Sequence, residues 1–171
     1  MKRTYLVACS AKKLPHAAQA RDLYQGQAFK MAREIAELDE SEWFILSAAH
    51  GLVHPSAQLH PYDLTLRGMG WKDYNRWHDT VCAQLRELIV ANRFIDRTVT
   101  VLAGQLYAEP VLNEMQFHFG TSAGLELPLK GLGIGQQLGV LKAWRDDIKA
   151  SRELMLAYVL SHSQTIEGAT A

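Results

Sequence analysis

The sequence predicts a three-layer α/β/α fold around a mostly parallel central sheet of about four strands. Short β-branched and apolar runs alternate with helical patterns along the chain, the order from which parallel sheets are built. Each apolar run also stops abruptly in a polar or glycine-containing loop. No repeat, linker or low-complexity tract divides the 171 residues, so a single domain over 1–171 is expected.

Thr4 to Cys9 is apolar and ends in Ser10-Ala11-Lys12-Lys13, which predicts a buried strand and then a loop. Over Gln27 to Leu38, Phe29, Met31, Ile35, Ala36 and Leu38 approximate one helical face. Trp43 to Ala48 is a second buried strand and ends at Ala49-His50-Gly51. Residues 49–71, with Pro55, Pro61, Gly68 and Gly70, read as one long loop, a kind of segment that is usually functional or disordered. Tyr74, Trp77, Val81, Leu85 and Leu88 mark an amphipathic helix. Thr98 to Ala103 is a third strand, broken by Gly104, and a helix through Tyr107 to Phe119 accepts Pro110 in its first turn. Leu125 to Leu129 is a fourth strand. After Gly131, Gly133 and Gly135 a long helix is expected from about Gln136 to Ser161, with a polar, frayed tail from 162.

Composition narrows the class. Hydrophobic residues make up 48% and charged residues 21%, ordinary globular usage that excludes a disordered chain. No apolar run approaches the roughly 18 residues of a membrane span, and Tyr5 to Cys9 is too short for a signal-peptide core. The expectation is a cytoplasmic protein with no membrane partner, a monomer, whose two cysteines, Cys9 and Cys82, stay reduced. Lys and Arg balance Asp and Glu, unlike a histone-like binder, but unevenly. Residues 1–33 carry seven basic residues against Asp22 alone, and residues 34–42 carry five acids and no base. A basic loop on a neutral body suits a phosphate-bearing partner at one mouth of the protein, although two solvated faces would look the same.

In an open α/β sheet the ligand site lies outside the carboxyl ends of the strands. Every unusual segment of this chain follows such an end, which predicts an enzyme. The first loop holds Ser10, Lys12, Lys13, Arg21, Asp22 and Tyr24, where lysines and a hydroxyl can hold a phosphate or sugar and a carboxylate can orient water. Asp22 would serve equally as a helix N-cap. Cys9, closing a buried strand, reads as a small core residue before a nucleophile. The second loop brings Ser47, His50, Tyr62 and Asp63 together, and a histidine there can donate to a developing negative charge. Tyr62 and Trp71 could stack on a base or pack the loop. His50, His54 and His60 lack zinc-motif spacing, so no metal is expected. Gly104 to Tyr107 is a permissive turn after a strand. Gly131, Gly133 and Gly135 follow the last strand with no ribose-binding acid, which excludes a dinucleotide fingerprint.

Four stretches carry a family resemblance: Cys9-Ser10 with Lys12-Lys13, Ala20 to Tyr24 with Phe29, Trp43 to Leu52, and Pro61 to Leu66. Together they resemble a bacterial and phage family of small proteins. That family is similar to the catalytic domain of archaeosine synthase and to the uracil-DNA-glycosylase-like fold. The likeness covers the first 66 residues, and Ala103-Gly104 with Tyr107 more weakly. In uracil-DNA glycosylases an Asp-Pro-Tyr after the first strand, followed by Gly-Gln-Ala, positions water and walls the base pocket. Asp22-Leu23-Tyr24 followed by Gly26-Gln27-Ala28 is similar, with Leu in place of Pro. The His-Pro-Ser of that family is matched by His54-Pro55-Ser56, but after the second strand instead of the last, so the match is treated as accidental.

The resemblance implies a DNA glycosylase, an N-glycoside hydrolase that excises a modified base from DNA in anti-phage defence, with no cofactor. Asp22 or Asp63 would be the carboxylate, and His50 would assist the departing base. Tyr24 and Tyr62 would wall the pocket, Lys12, Lys13 and Arg21 would hold phosphates, and Ser10, Ser47, Gly104 and Tyr107 would complete the substrate contacts. The alternatives are a nucleobase-modifying transferase of the archaeosine-synthase type acting on a 7-deazaguanine base, and a non-catalytic nucleic-acid-binding module.

Overall fold

The computed structural model describes residues 2–120 and 124–167. Its first strand, β1 (Lys2–Ala8), buries four consecutive residues, Thr4 to Val7, the pattern of a strand covered on both faces. β2 (Ala18–Gln19), α1 (Ala20–Leu23), α2 (Gln27–Leu38) and β3 (Glu42–Ser47) follow. Next come β4 (Gly51–Val53), β5 (Gln58–Leu59) and a single 3-10 turn at Leu66–Gly68. The chain then forms α3 (Trp71–Val90), β6 (Arg97–Leu102), α4 (Gln105–Phe119), β7 (Leu125–Glu126) and α5 (Ile134–Glu167).

The central sheet runs β4-β3-β1-β6-β7. β1 pairs in parallel with β3, Tyr5 opposite Trp43, and with β6, Tyr5 opposite Thr100. β7 is also parallel, and β4 alone is antiparallel. α2 and α5 cover one face, where Phe29, Ile35 and Leu141 pack on Tyr5, Val7, Trp43 and Ile45. α3 and α4 cover the other, where Trp77, Val81, Leu85 and Val111 pack on Leu6, Phe44, Leu46 and Val101. Helices on both faces of a mostly parallel sheet make a three-layer α/β/α arrangement.

The expected count of four strands is corrected to five. β4 lies inside the stretch 49–71 expected to be loop, and three residues are too few to display a period in sequence. Gly51 turns the chain back with φ 67°, and a Cβ there would sit 2.3 Å from Gln84 Oε1. The Leu52 N–H donates to that Oε1 at 2.6 Å, and Gln84 Nε2 donates to the His50 carbonyl at 3.4 Å. β2 and β5 form a separate antiparallel ribbon, Ala18 opposite Leu59. The same long stretch is also pinned by Ala20 N–H to Ala57 O and Arg21 N–H to Pro55 O, at 2.8 and 2.9 Å. α2 has the expected bounds. β7 is shorter than the expected Leu125 to Leu129, because only Val99 and Thr100 pair with it. α5 continues to Glu167, past Ser161, and 168–171 of the expected frayed tail lie outside the described residues. Among the described residues no helix is long and apolar enough to cross a membrane.

Candidate active site at the carboxyl ends of the strands

The chain leaves β1 toward the α2 face and leaves the neighbouring β6 toward the α4 face. Between two adjacent strands whose connections part in this way, the carboxyl ends open a crevice. Cys9 stands at its β1 side. Its N–H extends the ladder to Leu46 O at 3.0 Å, and its thiol lies 3.4 Å from the Tyr107 hydroxyl and accepts from Ala48 N–H at 3.4 Å. Tyr107 comes from the first turn of α4, where Gly104 O accepts the Tyr107 and Ala108 N–H groups, both at 3.1 Å.

Ser47, at the end of β3, is fully buried and is the hub of the site. Its Oγ accepts from Tyr24 O–H at 3.1 Å and from His50 N–H at 3.2 Å. With both lone pairs occupied, its own proton goes to the Tyr62 oxygen at 2.8 Å, and Tyr62 then donates to Tyr24 at 3.0 Å. Three hydroxyls, from the end of β3, the residue after α1 and the stretch after β5, thus close a ring in which each donates once and accepts at least once. Burial pushes the Tyr24, Tyr62 and Tyr107 phenols up from their ordinary values, so all three remain protonated donors at neutral pH. The α3 helix buttresses the hub: Trp77 Nε1 donates to Ser47 O at 2.8 Å, and its ring meets Tyr107 edge-on at 5.6 Å.

Charged groups sit above this ring. Lys13 bridges to Tyr24 in a strand-like pair, and its Nζ lies 4.0 Å from the Tyr62 ring centroid, a cation–π position. Burial lowers the Lys13 amine below an ordinary lysine, while the charges of Cys9 and of neighbouring Asp63 partly restore it. Asp63 itself is exposed. The exposed His50 presents its ring edge-on to Tyr62 at 5.3 Å. The crevice therefore offers an open carboxylate, a half-buried amine, an imidazole and an aromatic wall.

Six of the sequence-predicted site residues meet here, Lys13, Tyr24, Ser47, His50, Tyr62 and Tyr107, and Asp63, next in the chain after Tyr62, is exposed to solvent with its charge felt at Lys13. Others have different employment. Ser10 Oγ donates to Lys12 O at 2.8 Å and accepts Gly26 N–H at 3.0 Å, joining the first loop to the start of α2. Gly26 is required for that joint, because a Cβ there would come within 2.6 Å of Ser10 Cβ. Lys12 is exposed beside it. Arg21 and Asp22 belong to an ion-pair chain on α1 and α2: Arg21 to Glu37 at 2.6 Å, Arg33 to Glu37 at 2.9 Å, Arg33 to Asp22 at 2.7 Å. His54 Nδ1 meets Ser56 Oγ at 2.7 Å in a local turn, with its ring against Phe44. Cys9, read from the sequence as a small core residue, lies half-buried with its thiol at the Tyr107 hydroxyl, and Trp77 is not singled out for the site by sequence. Cys9 carries one usable signal, its place between a buried strand and a polar loop.

A cleft of about 560 Å³ opens at the amino ends of the strands, between Arg3, Asp39, Glu42, Arg93 and Arg97. Arg93 and Arg97 there both pair with Glu42, and the cleft lies away from the point where the connections part. Among the described residues no group of three or more His, Cys, Asp and Glu side chains is placed to hold a metal ion.

No curated protein and no solved structure matches the chain. Residues 4–143 match DUF6884, a family of unknown function, and the chain belongs to that family. The matched span contains the whole crevice, from Cys9 to Tyr107.

Proposed function

We propose that this DUF6884 protein is an N-glycoside hydrolase that removes a modified base from DNA, acting in the cytoplasm against phage genomes. The observation that carries the reading is the meeting of Lys13 and His50 on the Tyr62 ring over the buried hydroxyls, with Asp63 next in the chain after Tyr62. Breaking a glycosidic bond passes through an oxocarbenium-like sugar, which needs a carboxylate to stabilise it and align water. Asp63 is the carboxylate open to solvent at the crevice, whereas Asp22 is held by Arg33. The extruded base stacks on Tyr62, and His50 at the edge of that ring donates to the departing base. Lys12 on the rim contacts phosphate. The buried hydroxyls fix Tyr62 in place, so the pocket wall is set before the substrate arrives.

The test is incubation of the protein with phage DNA carrying modified bases, reading free base and abasic sites. Release by the wild type and its loss in Asp63→Asn are expected. A modified base of greater mass in an intact strand would point instead to the transferase reading, and binding without product would remove catalysis.

A further inference from the structure

We propose that Lys13 gives the crevice a second activity, cleavage of the DNA strand at an abasic site through an imine between its amine and the sugar aldehyde. The inference rests on the proposed glycosylase reading for where the abasic sugar would come from, but not for its chemistry or its test. Two lysines of the described residues are half-buried, Lys13 and Lys149. Lys149 forms a salt bridge with Glu34. Lys13 has no carboxylate within ion-pair distance among the described residues, and its hydrogen bond is a long one, 3.3 Å to Ala11 O. Its amine otherwise rests on the Tyr62 ring, with Tyr24 at 5.8 Å, in the crevice where the proposed substrate sugar lies. A lysine amine raised out of water, beside a carboxylate and not locked to it, is the arrangement for carbonyl attack. Burial also lowers its proton affinity, leaving more neutral amine than an exposed lysine has.

The step balances without an added oxidant or reductant. The neutral Nζ adds to C1′ of the open-chain sugar, and with one proton taken up from solvent the carbonyl oxygen departs as water, leaving a protonated imine. Asp63 takes a proton from C2′, and the electron pair expels the 3′ phosphate with cleavage of the C3′–O bond. Water then hydrolyses the imine, returning the amine and a strand ending in an unsaturated aldehyde. The buried hydroxyl ring beneath holds the Tyr62 face on which the amine rests.

The probe is a duplex oligonucleotide with a single abasic site, incubated with the full chain and sodium cyanoborohydride. Reduction of the imine is expected to give a one-to-one protein–DNA adduct that peptide mapping places on Lys13, and omission of the reductant to give a cut strand. Lys13→Arg keeps the charge but cannot form an imine, so its adduct and its cutting should fall to background. Lys30→Arg, on the exposed surface of α2, should still be trapped. Matching circular dichroism and thermal midpoint show that Lys13→Arg is folded. No adduct with the wild type, or equal trapping of Lys13→Arg, would overturn the inference. Base release from modified DNA is read separately. Release without trapping defeats the lyase and leaves the glycosylase, and trapping at Lys13 without release does the reverse.

Discussion

Replacing Ser47 with alanine removes one oxygen from a site with no exposure to solvent, and the hydrogen-bond ring sets the cost. Three bonds are lost: Tyr24 O–H and His50 N–H lose an acceptor, and Tyr62 loses a donor. At about 1 kcal/mol net for each, the ceiling is about 3 kcal/mol. Relaxation recovers part of it. The exposed His50 N–H can turn to water, and Tyr24 and Tyr62 keep the bond between them. One tyrosine O–H proton deep in the protein is still left without an acceptor, which costs about 1–3 kcal/mol. We therefore expect a loss of about 2 kcal/mol, or a fall in thermal midpoint of roughly 4–8 °C for a chain of this length. Urea unfolding followed by circular dichroism should show a lower midpoint with an unchanged slope. A double-mutant cycle with Tyr24→Phe should show coupling on the order of 1 kcal/mol, because the two changes delete the same bond. A loss below about 0.5 kcal/mol, or strict additivity with Tyr24→Phe, would refute the closed ring.

Three other outcomes are expected. In base-release assays Asp63→Asn should lower turnover by about 10²-fold or more, while Asp22→Asn should change it little and weaken only the contact with Arg33; a larger effect at Asp22 would reassign the carboxylate. Gly51→Ala should destabilise by roughly 1–2 kcal/mol, from its left-handed backbone, with more from displacing Gln84; a thermal melt unchanged from wild type would count against the hairpin as described. Glu114 is 5% exposed and holds Arg86 through two bonds of 2.6 and 2.9 Å. Burial pushes its carboxyl up, but the hydrogen bonds from Arg86 and the Cys82 thiol and the charge of Arg86 more than reverse this and hold it below its ordinary value of 4.5. A depressed native value means that the stabilisation is complete above pH 4.5 and is lost as the pH falls through the native value. Urea midpoints should therefore fall on acidification below that point and fall less steeply in Glu114→Gln; parallel acid limbs would exclude this carboxyl as a source.

Legibility in the sequence followed the length and periodicity of each element. α2 could be bounded because twelve residues carry a full apolar stripe, and β1, β3 and β6 because strands buried on both faces are continuous runs of apolar and β-branched residues. β4, the β2–β5 ribbon and the four-residue α1 could not, since each exists through its partner and is too short to repeat a pattern. The site divides in the same way. That Ser47, His50 and Tyr62 stand near a strand end follows from the order of elements. That Ser47 is a hub for two tyrosines from separate connections requires the fold. Arg21 and Asp22 look like free charges in sequence because Glu37 and Arg33, which engage them, lie a helix away. Cys9 looks apolar because it closes an apolar run, and it takes the Ala48 N–H and the Tyr107 hydroxyl, both brought by other parts of the fold, to give its thiol polar neighbours.

The side-chain amide of Gln84 has the same donor and acceptor as a peptide group, and it stands where a sixth strand would begin. By accepting from Leu52 N–H and donating to the His50 carbonyl it occupies the free rim of β4 with a group that belongs to a helix and cannot propagate a ladder. Open sheet rims are the places where chains join edge to edge into aggregates. At this rim the protein closes the sheet with one glutamine, and at the opposite rim β7 presents only two residues. Growth of the sheet from one molecule into the next is thereby blocked on the β4 side by chemistry and discouraged on the β7 side by brevity.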